Sequence, residues 1–361
     1  MSNGNPSSPQ SGLLRLTLGG VQQVAGWVAS VLPDRDQKLV WQEFRNKALV
    51  FELFANVESV LQLTPGRNYS AAELVEKALR LGPYESVWAV EGIGHLLAER
   101  HLDAGQPLFA ADSAGLPAHV FVALHVGMGL SFANRSLATL MKAPSQQDVR
   151  QAVEAFIRLC ELRSTPGFEP VAFEALGLVT RNIYPHLVSS VAQQSAGIES
   201  ELEEYFWHGV GRGLYFLPGN AMPASCAPWI AITAAERESP HEMARRNMLA
   251  GLVWALTLVN LRHPEIPALF LKHHSNVVCQ DDVFRNGLAS AILIWLTSSP
   301  EDPSLKSFFR YNPDSSDRNF CQLWNDQVKH PCRNMLREGG LRPEELLPVP
   351  TAFRYKPYAE S

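Results

Sequence analysis

Apolar residues along this chain recur at spacings of three and four, the period of a helix that buries one face. Gln37–Leu63, which includes WQEFRNKALVFELFANVESVLQL, reads as one amphipathic helix. Ser70-Ala-Ala-Glu73 is a capping box, in which the serine accepts from the first free amides and the glutamate reaches back. Ser145-Gln-Gln-Asp148 is a shorter-armed version ahead of DVRQAVEAFIRLCELR, and Ser239-Pro240-His241-Glu242 places proline at a first helical position. No alternating run bounded by hairpin turns is found, so the pattern predicts an all-α protein.

Glycine interrupts these helical patterns again and again. It stands in Trp88-Ala-Val-Glu91-Gly92-Ile-Gly94-His95, in Leu124-His125-Val-Gly127-Met-Gly129 and in Phe173-Glu174-Ala-Leu-Gly177. It returns in Phe206-Trp207-His208-Gly209-Val-Gly211-Arg212-Gly213, with weaker echoes ending at Gly251 and Gly287. Marker glycines 94, 127, 177, 211, 251 and 287 are separated by 33, 50, 34, 40 and 36 residues. Spacing of this kind fits a helical-repeat array whose units bury their apolar faces on one another. The unequal intervals favour an irregular α/α array, open or closed, over a perfect solenoid. Each internal glycine costs about 1 kcal/mol relative to alanine. Either close helix–helix approach or room for a ligand in a central cavity would offset that cost.

The first residues, MSNGNPSSPQSG, carry neither the basic start nor the apolar core of a secretory signal and read as a disordered arm over 1–12. One helical-repeat domain is expected over 13–338. Connectors rich in Pro, Gly and Ser are expected at Asp103–Pro117, Leu217–Pro228 and Ser298–Tyr311. Residues 339–361 hold four prolines and two tyrosines and are expected to run as an extended tail over the surface.

Charge and composition narrow the partners. A net charge of −5, with no basic run longer than Arg245-Arg246, argues against nucleic acid. The apolar stretches Leu249–Leu261 and Gly287–Thr297 are too short for a membrane span, which takes roughly 20 residues. Five widely spaced cysteines without a C-x-x-C pair suit a reducing cytoplasm rather than a disulfide framework.

Candidate chemistry sits beside the glycines. Glu91, His125, Glu174 and His208 are polar positions on otherwise apolar helices, and Glu91 and His95 share one helix face. Glu91, Glu174 and His208 occupy the same slot of the pattern, so stacked helices could bring them together. Glu91, His95, Glu174 and His208 would then resemble the donor set of a non-haem iron or manganese site, although the pair here is Glu91-x-x-x-His95 and the one Glu-x-x-His of ferritin-like spacing, Glu238-Ser-Pro-His241, carries a proline at a helix start. Internal hydrogen bonding among the same groups is the plainer reading. Arg212 could meet an acidic ligand or pair with Glu91 or Glu174. Aromatics such as Trp88 and Trp207 would build a core or line a cavity for an apolar molecule. Trp88, Glu91, His125, Glu174, Trp207, His208 and Arg212 are thus the expected ligand-facing set.

FEALGLVTRNIYPHL and YFWHGVGRGLYFLPG resemble segments of an uncharacterised bacterial helical family often encoded with enediyne-type polyketide synthases. The likeness covers roughly Tyr84–Pro218. It implies an accessory role in making or handling an apolar natural product and carries no catalytic residues over. Three functions stay open: an accessory protein that holds an apolar small molecule, a metal-dependent enzyme, or a scaffold that binds a partner protein.

Overall fold

The computed structural model describes residues 35–101, 106–110, 115–140, 143–217, 228–314, 316–333 and 350–356. The arm at 1–12 and most of the expected tail lie outside them. Among the described residues there are helices and turns but no strand, and no helix is long and apolar enough to cross a membrane.

The helices that matter here are α1 (Arg35–Ala55), α2 (Ala71–Leu79), α3 (Pro83–Arg100), α4 (Phe121–Ala138), α5 (Gln146–Arg163) and α6 (Glu169–Phe173). They continue with α7 (Ala175–Ile183), α8 (Val188–Ile198), α9 (Ser200–Phe216), α10 (Pro228–Glu238), α11 (Glu242–Val259), α12 (Glu265–Val278), α13 (Val283–Ser298) and α14 (Pro303–Arg310). Both capping boxes form. Ser70 Oγ accepts from Glu73 N and Ser145 Oγ from Asp148 N, and in each box the acid returns to the serine's own amide.

Three local expectations need correction. The helix expected over Gln37–Leu63 stops at Ala55, because Asn56 leaves helical geometry at φ −112°, ψ 28°. Pro240 is not inside α11; His241 caps that helix, its Nδ1 accepting from Ala244 N. Ser298–Tyr311 is not all connector, since Asp302 caps α14 by accepting from Ser304 N and Pro303 fills the first helical position.

Glycine-bearing helices pack in chain order: α3 on α4, α4 on α6 and α7, α7 on α9, α9 on α11, and α11 on α13. The last of them lies back against the first, where Trp295 sits 5.2 Å from Tyr84 and 6.1 Å from Trp88. Tyr84 Oη also donates to Val259 O across 2.7 Å. Docked on this body, α1 contributes a buried ion pair: Lys47 lies 3.1 Å from Glu43, with its ammonium 3.9 Å from the Tyr215 ring.

The crossings explain the glycines. A Cβ on Gly177 would fall 1.9 Å from Phe206 O, and one on Gly209 would fall 2.0 Å from Glu174 O. The next crossing repeats this, with Gly211 against Met248 O at 1.9 Å and Gly251 against His208 O at 2.0 Å. Each glycine thus meets the carbonyl of the residue three before the partner helix's glycine. Only a hydrogen fits there, and it points at a carbonyl, a geometry that adds weak Cα–H···O attraction. Close approach, not room for a ligand, is what these glycines supply.

Alanine should therefore act oppositely at two helical glycines. Gly177→Ala should lower unfolding free energy by roughly 1–3 kcal/mol, the usual effect of overpacking. At Gly197 nothing among the described residues lies within 4 Å of the added methyl. Gly197→Ala should raise stability by about 0.4–1 kcal/mol. Urea unfolding of both variants checks this, and stabilisation by Gly177→Ala would contradict the packing account.

Candidate functional site

Since each crossing places the residue three before one glycine beside the next helix, Glu91, Glu174 and His208 are carried into the middle of the bundle. Glu174 is the residue where α6 gives way to α7, while His208 and Arg212 are one turn apart on α9. Arg212 Nη1 donates to Glu174 Oε2 at 3.0 Å and Nη2 to Glu91 Oε1 at 2.6 Å. The other Glu174 oxygen lies 3.1 Å from His208 Nδ1, and a carboxylate only accepts, so the ring donates. Glu174 is 0% exposed and Arg212 2%. Trp254 of α11 closes the cluster: its ring is 5.2 Å from the guanidinium and 6.0 Å from the His208 ring.

One guanidinium thus bridges two carboxylates from different helices, and the two acids are not equivalent. Burial pushes the Glu174 carboxyl up, but Arg212 and His208 more than reverse this and hold it below the ordinary carboxylate range. Burial raises Glu91, and Arg212 offsets this only in part while Glu174 adds to it. Burial works against the charged guanidinium, yet both carboxylates drive the Arg212 pKa above its usual value. The stability from Glu174 is present above the ordinary carboxylate pKa and is lost as pH falls through its depressed one. Glu91 has the opposite sign, favouring the fold where it is protonated.

The sequence set divides around this cluster. Glu91, Glu174, His208 and Arg212 converge, whereas Trp88, Trp207, His125 and His95 stand elsewhere. Trp88 packs at the α3–α13 contact, 6.1 Å from Trp295. The Trp207 indole donates to Glu203 at 3.1 Å, and Phe206 lies edge-on to its ring. His95 is half-buried and edge-on to Phe54. Among the described residues, no group of three or more His, Cys, Asp or Glu side chains could hold a metal ion. The expected iron or manganese donors meet around a guanidinium instead: both Glu174 oxygens and one of Glu91 are already accepting.

His125 is a clasp. Its Nδ1–H donates to Phe121 O at 2.7 Å and its Nε2 accepts from Thr165 N at 2.9 Å, which fixes the neutral tautomer. The ring stacks on Phe168 with centroids 4.7 Å apart. Burial depresses its pKa to about 4, with the Phe121 carbonyl opposing. These bonds tie α4 to the segment that follows α5.

Part of the expected tail is anchored in the helical body. Within 350–356, Ala352 and Phe353 are 2% and 0% exposed, with the Phe353 ring 5.6 Å from Trp254. An aromatic side chain found an apolar seat that proline content could not foretell. Trp254, Asn247 and Asn286, which contact this segment or its neighbours, were not singled out by the sequence. Asn286 sits in a weak echo of the glycine pattern, and Asn247 and Trp254 flank the other, where the apolar run hides them.

No family model, curated protein or solved structure matches this chain.

Two outcomes follow. At pH 7, Arg212→Met should cost roughly 3–5 kcal/mol by stranding two buried carboxylates, Glu174→Gln less, and Glu91→Gln within about 1 kcal/mol. Equilibrium unfolding ranks them, and a neutral Arg212→Met would contradict the assignment. For His125, a depressed folded pKa means the unfolded chain binds the extra proton between about 6.5 and 4. Its contribution, roughly 3 kcal/mol, is present above that window and lost across it on acidification. His125→Gln should be less stable than the parent at pH 7, with the gap shrinking towards pH 4.5; a constant gap would contradict this.

Proposed function

We propose that this protein is an interaction scaffold, a stiff helical body that presents a surface to another protein. The observation that carries this reading is the Arg212 bridge. The groups best suited to chemistry hold three helices together, with Arg212 on α9, Glu174 at the start of α7 and Glu91 on α3. A metal enzyme built on Glu91, Glu174 and His208 would need those lone pairs open. A central cavity for an apolar molecule would need space at the glycines, where neighbouring carbonyls sit instead. The resemblance over Tyr84–Pro218 supports placing such a scaffold in bacterial natural-product biosynthesis. The unpaired state of Cys160, Cys279, Cys321 and Cys332 supports a reducing compartment, the cytoplasm.

A small-molecule reading keeps one observation in its favour. A hollow of about 380 Å³ between α4 and α5 is bordered by Arg135, Thr139, Leu140, Asp148, Gln151 and Leu159. That volume is in the small-molecule range, but its charged rim suits a polar ligand better than an apolar one.

Thermal unfolding in the presence of manganese(II), iron(II), zinc(II) or an apolar reporter dye tests the reading. A ligand held only by the folded state adds about 2.7 kcal/mol at a hundred times its Kd. The scaffold reading expects no saturable rise in Tm with any of them. A saturable rise with one metal, abolished in folded Glu174→Gln or His208→Ala protein, would replace it with the metalloenzyme reading.

A further inference from the structure

Residues 350–356 touch the helical body as a bound peptide touches a receptor. Asn247, 1% exposed on α11, accepts the Tyr355 amide at Oδ1 across 2.7 Å. Its own Nδ2 donates to Met243 O, which fixes the amide's orientation before anything binds. Asn286 of α13, also buried, donates through Nδ2 to Lys356 O. Two helical asparagines therefore hold a backbone amide and a backbone carbonyl of the same short segment.

Side chains are read as well. Phe353 fills the apolar seat beside Trp254. Arg354 pairs with Glu204 at 2.9 Å and Glu201 at 3.1 Å, its guanidinium 5.5 Å from the Tyr205 ring. Tyr355 Oη donates to Asp281 O at 2.7 Å, and the Arg246 guanidinium lies 6.0 Å from its ring. Asp281 and Asp282 both adopt left-handed geometry, φ 54° and 56°, and the Asp281 carbonyl meets the phenol from that turn.

The occupant leaves groups unmet. Among the described residues, Asn286 Oδ1 and the Trp254 indole N–H are buried and have no hydrogen-bond partner with the segment in place. Buried polar atoms of that kind are normally satisfied, so this is an occupant that a better-matched one could displace.

We propose that the groove between α9, α11 and α13 is a polypeptide-binding site and that 350–356 is its internal competitor. The partner is a segment of another protein carrying an aromatic, an arginine and a second aromatic in succession, with a further donor for Asn286 Oδ1. This rests on the scaffold reading and names the surface it uses. A tethered competitor acts at an effective concentration of order millimolar, so the groove opens only to a segment that binds better or after the tail is drawn away.

The test uses the full chain and the double variant Phe353→Ala/Arg354→Ala, which removes the segment's apolar and charged anchors, weakens its hold on the groove and leaves the groove's walls intact. The probe is a fluorescein-labelled peptide of sequence PTAFRYK, followed by polarisation. Saturable binding to the variant is expected, on the order of a hundredfold tighter than to the parent. The peptide should raise the variant's Tm, and adding Glu201→Gln/Glu204→Gln should weaken binding at least tenfold. No saturable binding to folded variant protein would overturn the site. Equal affinity for parent and variant would overturn the internal competition. A parent that forms concentration-dependent dimers, lost in the variant, would overturn the choice of partner by making it a second copy of this chain. Each result leaves the metal and dye titrations unaffected, so failure here is distinguishable from failure of the scaffold reading.

Discussion

Backbones of neighbouring helices come close enough here for a carbonyl oxygen to occupy the place of a missing Cβ, and the rest of the structure depends on that approach. Gly177 and Gly209 satisfy it reciprocally between α7 and α9, and Gly211 and Gly251 do so between α9 and α11. Because α9 carries a glycine for each neighbour, it is gripped on two sides. A larger side chain at either crossing would push the helices apart by more than a hydrogen bond tolerates. The distances within the Arg212 cluster would lengthen with them.

Such close crossings make a buried charge cluster tenable. Removing a guanidinium and two carboxylates from water costs several kcal/mol per ion, and only short, well-aligned contacts compensate. Glu174 lends both oxygens and Glu91 one, and the aromatic face of Trp254 covers the guanidinium. The asymmetry between the acids follows from position: Glu174 faces two donors, whereas Glu91 faces one donor and a neighbouring carboxylate. Charge in the core therefore fixes which helices meet. Its catalytic use would require taking those contacts apart.

Much of this was visible along the chain, for identifiable reasons. The three-and-four spacing and the serine capping boxes are local, and both survive in the structure at Ser70 and Ser145. That Glu91, Glu174 and His208 could converge was legible because these polar slots recur at one offset from glycine. Arg212 pairing with Glu91 or Glu174 was one of two expectations for it, the other being an acidic ligand. Asp302-Pro303 held a local signal too, a cap followed by a first-turn proline, that proline-rich composition masked. The partner of each glycine was not legible, because a carbonyl 30 or 40 residues away leaves no mark on its own residue type. Neither was the seat of Phe353, since Asn247, Trp254 and Asn286 come together only after α11 and α13 pack. His125 was placed with the ligand set on polarity alone; its partners, Phe121 O and Thr165 N, are backbone atoms that no motif displays.

The central claim is that the charge cluster is a structural bridge set by the glycine crossings. A double-mutant cycle between Arg212→Met and Glu174→Leu, measured by equilibrium unfolding, tests it most directly. A bridge predicts a coupling energy of roughly 1–3 kcal/mol, with the double variant more stable than the two separate losses would give. A coupling near zero would mean that Arg212 and Glu174 act independently, and the account of what holds these helices together would fail.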